Sequence, residues 1–151
     1  MMEKADAILI QTSDSPKNAY QKMYKLLIKK GFGIASEDDR AHTLLTTPYD
    51  LKKAADDTLA SSSQKAQFYV NIREDEQTII LLRGRYGYEN TSMDYQFDNR
   101  RIAGSPFSIA QGGEINNTET DKSLARLLGW KLMMDVAGSY PGGQLYYARN
   151  R

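Results

Sequence analysis

His42 is the single histidine of the chain, and Glu37, Asp38 and Asp39 stand three to five residues before it. A histidine with a positioned carboxylate is the usual general base, and several carboxylates together can begin a site for a hard cation. The spacing matches no calcium loop, since it lacks the central glycine and the distant glutamate. A solvated turn leading into a strand is the simpler reading of this stretch.

Arg83-Gly84-Arg85-Tyr86-Gly87-Tyr88 invites a nucleic-acid reading, because RNA-recognition sheets carry a basic-Gly-aromatic strand on which bases stack. Strand alternation, however, puts Tyr86 on the same face as Leu82, away from the arginines. The Gly84 to Gly87 spacing falls on a strand rather than between helices, so it carries little weight. Together with a formal charge of only +1, this phase argues against nucleic acid as the partner. Asn90-Thr91-Ser92 and Asn116-Asn117-Thr118 match glycosylation sequons but read as turns. Tyr140, Tyr146 and Tyr147 cluster near the end, where tyrosine suits an interface or a half-buried sheet position. There is no cysteine, hence no disulfide, thiol nucleophile or thiolate metal site. A nucleophile elbow, dinucleotide fingerprint, phosphate-binding glycine loop and zinc spacing are all missing from the sequence. The reading is therefore non-enzymatic, with no cofactor and no metal.

The elements that position these residues are organised around Leu124 to Ala137, a helix apolar almost all the way round, with Lys131 and Asp135 as its narrow polar stripe. Leu127, Trp130, Met134 and Ala137 recur at helical spacing, so the helix must be enclosed. Thr120 or Asp121 is expected to cap it and Gly138 to end it. Before it, Ala7 to Thr12 reads as a strand. Ser13 to Ser15 then offer caps for a helix from Pro16 to Lys30, with Ala19, Tyr20, Met23, Leu26 and Leu27 as its apolar stripe and Gly31 as its stop. Phe32 to Ser36 and Thr43 to Thr47 read as a hairpin that Pro48 terminates. Asp50 to Ser63 reads as a surface connection.

Gln64 to Arg73 and Thr78 to Tyr88 are the clearest strands. Phe68, Val70 and Ile72 alternate with Gln67, Tyr69, Asn71 and Arg73, while Ile80, Leu82 and Tyr86 alternate with Arg83 and Arg85. An odd loop pairs Ile72 with Ile80 and Val70 with Leu82, whereas a two-residue loop would flip one strand. On the odd register Tyr69, Asn71, Arg73, Arg83 and Arg85 share an open, basic sheet face, the candidate binding surface. Gly84 falls on the covered face, where a missing side chain admits a helix. Residues 89 to 120 are irregular, with a short strand expected near Tyr95 to Phe97.

The 151 residues thus read as a single α+β domain: an antiparallel sheet with two main helices on one face, in the order β-α-β-β-β-β-α-β. Gly31-Phe32-Gly33-Ile34, Glu37-Asp38, Leu45-Thr46-Thr47-Pro48 and Ala137-Gly138-Ser139-Tyr140-Pro141-Gly142, leading to Tyr146-Tyr147, resemble small exported lipoprotein domains of gut Bacteroidetes. Their fold is similar to the helix-grip domains of the C lipoprotein of the barrel assembly machinery. The resemblance implies a fold and a place in the bacterial cell envelope, on the periplasmic side, but no catalytic residue. As written the chain is soluble, and membrane attachment is expected only through a lipid anchor that this chain does not carry. The function expected is a non-catalytic binding or scaffold domain with an unknown protein partner. The alternative is a carrier of a small apolar ligand, with a cavity lined by Trp130, Met133 and Met134.

Overall fold

The computed structural model describes residues 5–51, 64–88, 95–96 and 118–148. Chain order runs β1 (Ala7–Thr12), α1 (Pro16–Lys29), β2 (Ile34–Asp38), β3 (Thr43–Thr46), β4 (Tyr49–Asp50), β5 (Gln64–Asp75), β6 (Gln77–Tyr88), β7 (Tyr95–Gln96), α2 (Thr118–Gly138) and β8 (Gln144–Ala148). The architecture is the expected α+β one; the short strand expected near Tyr95 to Phe97 is β7, and the two-residue strand β4 is an addition. The connection over 52–63 and most of 89–117 lie outside the described residues, as do the asparagines of both sequons.

The sheet is antiparallel in the order β2-β3-β5-β6-β1-β8, with β4 alongside β5 and β7 alongside β6. Its spine is the β5–β6 hairpin. Ile72 faces Ile80 and Val70 faces Leu82, the register of the odd loop, and Glu76 at its apex takes a left-handed conformation with φ 58°. Phe68, Val70, Ile80 and Leu82 are fully buried on the helix side together with Ile8 and Ile10 of β1. Tyr86 is buried there too, which removes it from any base-stacking face.

Helix α1 starts and stops where its sequence signals it. The Ser15 hydroxyl accepts the Asn18 N–H, Pro16 takes the first helical position, and Ala19, Tyr20, Met23 and Leu27 are buried. At its end the Gly31 N–H reaches the Ile28 carbonyl and the Phe32 N–H the Leu27 carbonyl, with Gly31 at φ 94°. This paired return is the Schellman arrangement, and both Phe32 and Leu27 are buried beside it.

Helix α2 begins at Thr118, ahead of the expected cap at Thr120 or Asp121. Its buried stripe is Trp130, Met133, Val136 and Ala137; Leu127 and Met134 are only half-buried. The sheet covers one side of this helix rather than enclosing it, so an all-round apolar pattern settles on the best single face. Both helices share one core with the sheet.

The strand ends drift from expectation for a local reason. β2 runs on through Glu37 and Asp38, and the turn falls later, where the Asp38 carboxylate accepts the N–H groups of Arg40 and Ala41. A bulge between Ile34 and Ser36 absorbs the shift.

Candidate functional site

The site is built from the β5–β6 register and one non-local pairing. Tyr69 lies opposite Arg83, and Gln67 opposite Arg85, while β3 brings Leu45 opposite Tyr69. Strand alternation aims all five at the open face. There they line, with the backbone of Gly84, a cavity of about 330 Å³. Ala7, the β1 neighbour of Arg83, carries only a methyl group on this face.

Thr46 fixes the floor of this cavity. β3 stops pairing with β5 at Leu45, and β4 resumes only at Tyr49, leaving a gap in the ladder before Pro48. Across that gap the buried Thr46 hydroxyl accepts the Phe68 N–H at 2.8 Å, and the Thr46 carbonyl accepts the Gln67 side-chain amide at 2.9 Å. Gln67 is thereby held in one orientation beside the arginines.

Arg83 is half-buried and Arg85 exposed. Among the described residues neither guanidinium has a hydrogen bond or an ion pair, and no lining residue is acidic. Two cations two residues apart on one strand face present forked donors suited to a carboxylate or phosphate. In this lining the two guanidiniums can bind negative charge and the Tyr69 hydroxyl can donate a hydrogen bond.

Of the open-face candidates, Tyr69, Arg83 and Arg85 meet at this cavity. Asn71 and Arg73 share the face but lie farther along β5, opposite Leu81 and Ile79, and do not line it. Gln67 was on the correct face in the alternation yet carried no signal of its own. Leu45 was missed because its place depends on the β3–β5 pairing, which nothing local announces.

The open face is also less uniformly basic than the alternation of β5 and β6 implied. Leu81 pairs with Leu9, and Leu9 with Tyr146, so an apolar band crosses the sheet next to the arginines. Tyr146 is 44% exposed in that band. Its companions differ: Tyr147 packs against Trp130, ring centroids 6.2 Å apart, and Tyr140 is buried.

No family model and no curated protein matches this chain.

Other sequence candidates separate from this site. Trp130 and Met133 are core residues and Met134 is half-buried; none of the three lines the open-face cavity or the second one. That second cavity, about 590 Å³ and wide open, is a groove between α1 and the β2–β3 turn lined by Tyr20, Gln21, Tyr24, Lys25, Glu37 and Asp39. His42 adopts φ 56° at the end of the turn, with its ring 5.7 Å from that of Tyr20. Among the described residues no hydrogen bond positions its imidazole, and no group of three potential metal ligands forms. Burial first, then Glu37 and Asp39, push the Tyr20 phenol above its ordinary value.

A separate polar cluster links α1 and the residue pair before it to Tyr140, just past the end of α2. The Tyr140 hydroxyl donates to the Asp14 carboxylate at 2.6 Å, and Lys22 reaches the same oxygen at 2.9 Å. These two donors, Tyr140 foremost, hold the Asp14 carboxyl below its ordinary value of 3.8, while burial and Asp14 push the Tyr140 phenol upward. Every partner is accounted for within the fold, so the cluster is structural.

Proposed function

We propose that this chain is a non-catalytic binding module whose open sheet face docks an acidic segment of a protein partner. The supporting observation is the pair of unpartnered guanidiniums, Arg83 and Arg85, beside a cavity that Tyr69 and Leu45 make partly apolar. A carboxylate of the partner meets the arginines, and a neighbouring apolar side chain enters the cavity. Beside the buried Leu81, the half-buried Leu9 and the exposed Tyr146 continue the contact surface. Arginine and tyrosine flanked by apolar area is the composition of a protein interface rather than of an isolated anion site.

The reading includes the envelope location that the resemblance implies. No helix among the described residues is long and apolar enough to cross a membrane. Mass spectrometry of the protein from its own source tests this part: a lipid-modified amino terminus supports it, and an unmodified cytosolic protein overturns it.

The binding reading is tested by nuclear magnetic resonance titration with short peptides that place leucine or phenylalanine between glutamates. Shifts confined to Leu45, Gln67, Tyr69, Arg83 and Arg85, weakening with salt and lost in an Arg83→Gln/Arg85→Gln variant, are expected. Shifts that map elsewhere, or survive the double substitution, remove this face as the docking site.

A further inference from the structure

The two edges of the sheet are built differently. One edge, β2, carries Glu37 and Asp38 and a bulge between Ile34 and Ser36, all devices that keep an edge from pairing with another chain. The other edge, β8, reads Gln-Leu-Tyr-Tyr-Ala, with no charge, proline or bulge-forming glycine. It pairs with β1 on its inner side, and among the described residues no strand pairs with its outer side. Strand geometry leaves alternate N–H and C=O groups of that outer side pointing away from β1.

From this asymmetry we infer that β8 is a docking edge for a second copy of this chain, paired antiparallel about a two-fold axis through Tyr146. The strand is self-complementary about that residue. Gln144 meets the copy's Ala148, Leu145 meets its Tyr147, and Tyr146 meets its own counterpart. Leu145 and Tyr147 face the helix side, opposite Ile10 and Ile8, and both are only half-buried in a single chain. Pairing places each against the other's copy and extends the core across the axis. Tyr146, 44% exposed on the open face, gains an aromatic partner of its own kind. No like charges are brought together, whereas the same operation on β2 about Ser36 would set Asp38 against the copy's Ile34 and Glu37 against its Ala35, leaving both carboxylates without a polar partner across the axis. An antiparallel edge pairing has its axis perpendicular to the sheet, so both open faces lie on one side of a continuous sheet. Five paired residues make a small interface, so the association is weak.

Sedimentation equilibrium of the full chain is the first measurement, with a monomer-to-dimer transition expected between roughly 10 μM and 1 mM. Tyr146→Lys sets two ammonium groups against each other across the axis and is expected to shift the dimer constant at least tenfold toward monomer; Tyr146→Phe should preserve it. Because the chain has no cysteine, Tyr146→Cys supplies a clean second readout. Under mild oxidation it should give a disulfide dimer in high yield, while Ser36→Cys on the opposite edge should not. A wild-type chain monomeric at 1 mM, a folded Tyr146→Lys that dimerises as before, or equal cross-linking from the two edges overturns the inference.

Discussion

Replacing Tyr140 with Phe removes one hydroxyl and leaves the ring that packs in the core. The lost contact is the 2.6 Å hydrogen bond to Asp14, a neutral donor on an ionised acceptor. Such bonds contribute about 1.5–3 kcal/mol. The Asp14 side chain is 23% exposed and keeps Lys22 at 2.9 Å, so water and the ammonium take up part of the loss. The lower half of the range follows, about 1.5–2 kcal/mol, which for a chain of this length lowers Tm by roughly 3–8 °C. The acid limb of the stability curve identifies the cause. In the fold the Asp14 carboxyl titrates below its ordinary 3.8, so its contribution is full above that value and is lost as pH falls through the lower, folded value. Urea unfolding of both proteins should therefore show a constant gap from pH 5 to 8 that closes well below pH 3.8. At the alkaline end the neutral Tyr140 phenol is favoured by burial and by Asp14, so the wild type loses this stabilisation as pH rises past the ordinary 10.0 and the Phe variant has none to lose. Equal stability of the two proteins at pH 7, or an undiminished gap in acid, would refute the assignment of this bond as a stabilising tie between the two helical segments.

Thr46→Val keeps the shape but removes the acceptor of the Phe68 N–H at a buried position; the loss should be about 1–3 kcal/mol, with faster amide exchange at Phe68 as the local signature, while the Gln67 amide keeps its bond to the Thr46 carbonyl. Gly143→Ala would set its new methyl 2.5 Å from the Ile10 side chain and 3.2 Å from the Tyr140 ring, and overpacking of about 1–3 kcal/mol should appear as a lowered urea midpoint with an unchanged slope.

What could be read directly from the sequence was local. The β5–β6 register followed from alternation on both strands and an odd turn, and α1 followed from a proline, a serine cap and a stopping glycine. Those signals need only a few neighbouring residues to agree. The site was half legible for the same reason: Tyr69, Arg83 and Arg85 share a hairpin, so one register places all three. Leu45 belongs to a strand 24 residues before Tyr69, and pairing energy between distant strands leaves no mark on either. The open face looked more basic than it is because β1 reads Ala-Ile-Leu-Ile, a run in which an outward leucine cannot be told from an inward isoleucine. Helix α2 posed the converse difficulty. Its apolar residues surround the axis, so the buried side is chosen by the sheet and not by its own pattern.

The position of β1 also bears on the order of assembly. It is the earliest described strand to leave the ribosome, yet its two neighbours are β6 and β8, with Ala7 opposite Arg83 on one side and Ala148 on the other. A nascent chain can close the β5–β6 hairpin as soon as that segment emerges, but β1 must wait while residues 13–76 emerge for its first partner and residues 13–143 for its second. Loop closures of that span are slow steps. During the wait an uncharged, strand-forming segment stands unpaired. Translation speed across the second half of the message, and whatever shields Ala7 to Thr12 in the meantime, therefore set how much of this protein reaches its native sheet.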